Sequence, residues 1–584
     1  MARSFSPSLH SCSYFVRASF FILLGALFSL GAPPSAFPSD QHGGTLVLST
    51  LSDPKSFNSI IAKETSTTAV TGLIFEGLTT LDMETLQPKP LLAERWEVSE
   101  DGSAWTFYLR KDVRWNDGEP FTSDDVVFTF NDLVYNENIP SSARDMFTVG
   151  GKEFDVKALD RNTVRFILPQ KFAPFLRAMS QAILPRHRLE RSVREGTFNF
   201  TWGIDTPPDE IIGTGPFKLV QYRPGERLVF QRNPFYWKSS SDGERLPFIN
   251  EVIMLIIQSP DTMLLKFLDG ELDSVSVRES DFPLLKPLEA SNNFTLYETG
   301  ADFGSNFLVF NQNRGRHPET GKPYVEPAKL SWFTNLEFRR AVGHAVDKDK
   351  MIAILKNGLG YPQSGPMSPS AGFFYYPEAA TYAYDLNKAR RILAEAGFLD
   401  RDQDGVLEGP EGQRVEFNLF TNSNNPERIQ VAAMIRHDLQ LLGMRVNFLA
   451  LEFNSLVSKL NATFDWDAII LGLTGGIEPH FGKNVWSSGG QLHMWYPRQE
   501  KPATAWEERI DEIFDQAVQE FDPAKRKALY DEWQEIVSEK LPFIYTILGK
   551  SLYVVRNRFG NLKPSSYGGV FHNIEEIFIK EEFR

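Results

Sequence analysis

The segment that decides the fold begins with VEFNLFT (415–421), which reads as a strand. A helical pattern from 427 to 442 follows, with Ala432, Ile435, Leu439 and Leu442 on one face. RVNFLAL (445–451) is a second strand, 455–460 a short helix, and DAIILGL (467–473) a third strand. The continuous apolar run AIILGL suits a strand covered on both faces. Strand–helix–strand–helix–strand at this spacing predicts a parallel α/β lobe. In such lobes ligands sit outside the carboxyl ends of the strands. The loops leaving those ends are TNSNNP (421–426) and TGGIEPHF (474–481), so Asn422, Gly475, Gly476, Glu478 and His480 are candidate ligand contacts. The same Gly and Pro residues would also serve a plain turn.

Working outward, other strands show as alternation: Trp105, Phe107 and Leu109 in AWTFYLR, and Val164, Phe166 and Leu168 in VRFIL. VIMLII (252–257) reads as a strand covered on both faces. Asp385 is placed to cap a helix with apolar positions Leu386, Ala389, Leu393 and Ala396, and Gly397 supplies its left-handed stop. Asp522–Pro523 is an N-cap and first-turn pair, opening a helix expected to bury Leu529, Trp533 and Ile536.

Composition narrows the function classes. The 584 residues suggest about three or four structural units. Apolar residues at 42% and charged residues at 23% are ordinary for a globular protein and exclude a disordered or fibrous chain. The net charge of −14 does not suit a nucleic-acid binder. One cysteine excludes a disulfide framework, a zinc ribbon and a CxxC redox site. GxSxG, HExxH and GxxxxGK[ST] are absent. Acid pairs are abundant, which keeps a secreted two-carboxylate hydrolase open.

At the amino end, Arg3 and Arg17 precede the apolar stretch FFILLGALFSL (20–30), then small residues and prolines, with no acid before Asp40. This is the order of a cleavable signal peptide, expected over residues 1–36. The stretch is short of the ~20 residues a spanning helix needs. Cys12 lies before it, so it cannot be a lipoprotein attachment point. The expectation is an exported protein of the periplasm that neither spans the membrane nor carries a lipid.

Asp400, Asp402, Asp404, Gly405 and Glu411 fit D-x-D-x-D-G-x5-E, in which alternating carboxylates converge on a hard cation. A strand rather than a helix follows, so the context is not that of an EF-hand. A structural Ca²⁺ and an ion-free acidic turn both remain open.

Several ordered blocks resemble the family 5 extracellular solute-binding proteins of ABC importers, the dipeptide- and oligopeptide-binding type. They are GGTLVLST, IFEGLTTLD, the 91–130 block LLAERWEVSEDGSAWTFYLRKDVRWNDGEPFTSDDVVFTF, IIGTGPFKLVQYRPGERLVFQRNPFYW (211–237), FRRAVGHAVDKDKMI, YDLNKARRILAEAGF and DPAKRKALYDEWQEIVSEKLPFIYTI. The resemblance implies a two-lobed, hinged α/β periplasmic-binding-protein fold of type II with an inserted domain. It implies a discontinuous first domain (43–82, 205–300 and 545–584), an inserted second domain (83–204) and a third domain (301–544) as the other lobe. A monomeric receptor would close on a peptide or small-molecule solute and deliver it to ABC transporter permease subunits. It would catalyse nothing and require no cofactor.

In peptide-binding relatives an Asp four residues before a Pro in the 474–481 loop pairs with the ligand ammonium. Here Gly475 stands at that position before Pro479, so the resemblance leaves Glu478 or Glu64 to supply the charge, or a ligand that is not an ordinary free-amino peptide. Further candidates are Ser66 beside Glu64, Asn306, and the aromatic residues Trp486, Trp495 and Tyr496. Saccharides, opines and metal chelates stay open as solutes, as does a chaperone-like envelope protein that binds unfolded chains.

Overall fold

The computed structural model describes residues 41–584 apart from 63 and 142. The expected signal peptide lies outside the described residues.

The alternating strand Ala104–Leu109 buries Trp105, Phe107 and Leu109. It lies in an antiparallel sheet ordered 93–98, 104–109, 163–167, 155–160. Phe107, Phe130, Phe166 and Phe175 meet there with ring centroids 5.0–5.9 Å apart, the tilted and edge-to-face spacing aromatic side chains favour. The same core continues into a second sheet, ordered 45–50, 251–256, 227–232, 217–223. In Glu251–Ile256 the residues Val252, Met254 and Ile256 are buried while their neighbours are only half-buried. The other face is thus less covered than the unbroken apolar run predicts. Its Leu255 packs at the margin of the core of a third sheet, built from 274–277, 547–556 and 294–301.

The decisive segment folds as read, with one addition. Glu416–Asn422 pairs in parallel with Arg445–Leu451 on one side and with Ala468–Leu473 on the other. Pro426–Leu441 is the connecting helix, and Phe453–Ser458 begins the short one. The sheet is not purely parallel. Ser305–Phe310 lies antiparallel beside Ala468–Leu473, and Phe543–Tyr545 closes the far edge, giving the order 445–451, 416–422, 468–473, 305–310, 543–545. Ala468 and Ile470 enter the core on one face of this sheet, and Ile469 and Leu471 the core on the other. The run AIILGL is therefore covered on both sides.

Two chain crossings join this sheet to the third one. The 294–301 strand leads into 305–310 through residues 302–304, and 543–545 leads into 547–556 through Thr546. They lie side by side: Thr546 N donates to Asn306 O at 2.9 Å, and Asp302 N donates to Gly549 O at 3.0 Å. A fold of two lobes joined by paired extended crossings is one that can hinge.

The capping expectations resolve well. Asp385 accepts from Lys388 N at 2.8 Å, and Gly397 takes φ +86° just beyond its helix. Asp522 accepts from Ala524 N at 2.9 Å and Lys525 N at 3.0 Å, opening Pro523–Lys540. The buried stripe of that helix runs through Arg526, Tyr530, Trp533 and Val537, so Leu529 and Ile536 are only half-buried at its margins. Replacing Asp522 by Ala removes the cap and should lower unfolding free energy by about 1 kcal/mol in urea titrations; an unchanged midpoint would show that the cap contributes nothing.

Candidate functional site

The carboxyl ends of the parallel strands 416–422 and 468–473 lie at one edge of the five-stranded sheet. Because 305–310 runs the opposite way, its first residues lie at the same edge, with Asn306 opposite Gly472. Arg428, in the first turn of the 426–441 helix, ties them together. Its Nε donates to Asn306 Oδ1 and its Nη1 to Asn422 Oδ1, both at 3.1 Å. Burial pulls the Arg428 pKa below the usual guanidinium range, so these contacts hold a desolvated cation. A Cβ on Gly472 would sit 2.4 Å from Arg428 Nη2, which explains a glycine inside this strand. Asn306 and Asn422 were sequence candidates; Arg428 was not. The available signal was an Arg two residues beyond a Pro at the carboxyl end of a predicted strand.

Beside this edge lies a cavity of about 370 Å³. Ser305, Phe307 and residues 473–479 line it from the five-stranded lobe, and Leu81, Arg177 and Ser180 from the other. Leu81 and Ser180 also line a second cavity of about 1440 Å³. The loop after strand 468–473 thus contributes residues 474–479 and Phe481 to the cavity wall.

Gly475 and Gly476 both line the smaller cavity. A Cβ on Gly475 would lie 1.5 Å from the carbonyl oxygen of Phe303, whereas Gly476 has open space around it. No side chain, carboxylate or otherwise, fits at Gly475 on this backbone. That is the physical reason an acid is missing there.

Glu478 corrects the expectation that it awaits a ligand ammonium. It is buried, and Arg526 grips it with both terminal nitrogens, at 3.0 Å and 2.5 Å. Arg177 Nε stands 3.6 Å from its Oε2, and its Oε1 accepts from His480 N at 3.2 Å. The carboxylate is thus already neutralised and also caps the turn Pro479–Gly482. His480 sits edge-on to Phe172, with ring centroids 5.5 Å apart. Its Nδ1 has no hydrogen-bond partner among the described residues. Burial lowers its pKa to about 3, with Lys483 and Arg526 adding repulsion. The ring stays neutral at physiological pH.

The remaining candidates fall elsewhere. Trp495 is 1% exposed and donates to Glu507 at 3.0 Å, with the His493 ring tilted against it at a centroid distance of 3.9 Å; it is core and not a ligand platform. Trp486 borders the cavity but is buried against Trp495, Trp533 and Phe543. Tyr496 packs at the margin of the same core. Glu64 pairs with Lys55 at 3.1 Å ahead of the helix Thr65–Thr71, which contains Ser66. Neither lines the 370 Å³ cavity.

The acidic loop also departs from its pattern. Carboxylate oxygens of Asp400, Asp402 and Glu408 lie within 4.8 Å of one another. Glu408, not Glu411, completes the group, because Glu411 falls in the exposed turn that carries Gly412 at φ +87°. Asp404 turns to Arg414 at 2.5 Å, and Arg414 also reaches Asp402 at 3.4 Å. A guanidinium thus supplies part of the charge that the motif assigns to Ca²⁺, so these residues do not form the expected donor set.

Two lobes, a hinge of paired strands and a cavity lined from both lobes are the features of a solute-binding protein. The sequence profile of bacterial extracellular solute-binding proteins, family 5 (middle region), matches residues 87–491, and the chain belongs to this family. It is 29% identical over 555 residues to the "Probable ABC transporter-binding protein" of Deinococcus radiodurans, covering 90% of this chain and 91% of that one. It is 25% identical over 522 residues to the oligopeptide-binding protein AppA of Bacillus subtilis, covering 86% of each. The structure of that AppA in complex with a nonapeptide shares the fold, with a TM-score of 0.70, 23% identity, and coverage of 93% of this chain and 100% of that one. No helix of the described residues is long and apolar enough to cross a membrane.

Two outcomes test this geometry. Glu478→Gln strands Arg526 as an uncompensated buried cation and should lower stability by about 3–5 kcal/mol in denaturant titrations; a loss under ~1 kcal/mol would mean that water reaches the pair. His480 has a lowered folded-state pKa, so between about pH 6.5 and pH 3 the unfolded chain binds a proton that the folded chain refuses. Stability therefore falls as pH drops through that window. His480→Gln should flatten this part of the melting-temperature profile, and parallel wild-type and variant profiles would contradict the assignment.

Proposed function

We propose that this protein is the periplasmic receptor of an ABC importer, and that it captures a peptide or peptide-like solute by hinge closure and hands it unchanged to membrane permease subunits. The observation that carries the reading is the cavity at the strand ends, lined from both lobes by Arg177 and Ser180 on one side and by Ser305 and residues 473–479 on the other. A site divided between hinged lobes gains its contacts only on closure, which is how a solute favours the closed state. Backbone groups in the exposed 474–476 turn are available to hydrogen-bond a peptide main chain. The oligopeptide-binding relative from Bacillus and the dipeptide-binding relative from Escherichia coli support a peptide reading. Trp486 and Trp495, the sequence candidates for an aromatic platform, are buried.

The receptor catalyses nothing, acts as a monomer and is freed by cleavage of its signal peptide. Its domains follow the division 43–82 with 205–300 and 545–584, then 83–204, then 301–544. The strand Gly360–Pro362, within the 301–544 stretch, pairs with the 547–556 strand.

Native mass spectrometry of the protein purified without denaturation should show a defined mass increment that peptide fragmentation assigns, and that leaves chemically intact on unfolding. Release of a cleaved product, or a carbohydrate increment in place of a peptide, would reject the proposal.

A further inference from the structure

The charge around the 370 Å³ cavity is unbalanced. Its lining carries two charged side chains, Arg177 and Glu478. Glu478 is committed to Arg526, which also donates Nε to Ala517 O at 2.9 Å and lies over the faces of Phe374 and Tyr530. Two guanidinium groups therefore share one carboxylate, and the surplus positive charge falls on Arg177.

Arg177 is itself only partly satisfied. Its side chain is 10% exposed. Nη2 donates to Leu86 O, and Nε stays 3.6 Å from Glu478, beyond a good hydrogen bond. Nη1 is buried and has no hydrogen-bond partner among the described residues. The other titratable groups that act on Arg177 are Arg526, a second cation, and Tyr567; no other carboxylate acts on it among the described residues. Buried donors are normally paired, and a guanidinium matches a carboxylate through its planar fork. Across the cavity, Gly475 cannot hold a carboxylate because of Phe303 O.

We infer that the cavity seats an anionic group of the solute, a carboxylate, on Arg177, and offers no counter-charge to a solute ammonium. This rests on the peptide reading above and names the end of the peptide that the site reads. A free amino terminus would be repelled or left in water, while the carboxylate would complete Arg177 and offset the surplus charge.

Calorimetry with four probes separates the two ends: trialanine, its amide, N-acetyl-trialanine and N-acetyl-trialanine amide. Amidation, which removes the carboxylate, should weaken binding tenfold or more, and acetylation, which removes the ammonium, should not weaken it. Arg177→Gln should abolish the cost of amidation, while Arg177→Lys, which keeps the charge, should retain it; matching melting temperatures establish that both variants fold. Tighter binding of the amine-only trialanine amide, or an amidation cost equal in wild type and Arg177→Gln, overturns the inference while leaving peptide capture intact. If none of the four binds, the peptide reading itself falls and the inference with it.

Discussion

The buried pair of Glu478 and Arg526 is the interaction on which the site depends. It joins the loop after the 468–473 strand to the 523–540 helix, and it fixes the cap of the 479–482 turn. From there His480 reaches Phe172 and Glu478 approaches Arg177, both from the opposite lobe. Val518, just beyond the helix Ala505–Ala517, accepts from Ala173 N at 2.7 Å and joins the aromatic core of that lobe. An ion pair this deeply buried brings little net stability compared with apolar residues of the same shape, but it is costly to break. Its contribution here is geometric: it holds one wall of the cavity in a single arrangement.

The hinge gives that wall its purpose. Two extended crossings, near 302–304 and Thr546, connect the five-stranded sheet to its neighbour, and they hydrogen-bond to each other through Asn306 and Gly549. Such a joint is one that can open and close. Closure removes water from the cavity, where Coulombic and hydrogen-bonding contacts then act in a lower dielectric. A solute carboxylate on Arg177 would therefore count for more in the closed form than in the open one, which is the difference in affinity that closure requires.

Much of this was legible in the sequence, and the reason is local. Strand 416–422, its helix and strand 468–473 announce themselves through periodicity, and Asp385, Gly397 and Asp522 through backbone chemistry that acts within a few residues. The loop 474–481 was located because its place follows from strand direction. What stayed hidden depends on distant partners. The antiparallel 305–310 strand enters the sheet from far along the chain. Glu478 looked like a free carboxylate because Arg526, 48 positions away, is invisible to any local reading. Trp495 looked like a platform because burial is a tertiary property. The acidic loop matched a metal pattern in spacing, yet Arg414 and the turn at Glu411 redirected its donors.

The most direct measurement is the distance between the lobes. Spin labels at the exposed positions Leu159→Cys and Gln516→Cys, in a chain with Cys12 replaced by serine, report it by pulsed electron resonance. The account predicts a broad distribution of long distances without solute, and a single shorter and narrower one when a bound peptide saturates the cleft. Superimposable distributions with and without a tightly bound peptide would contradict closure, and with it the role assigned to the cavity.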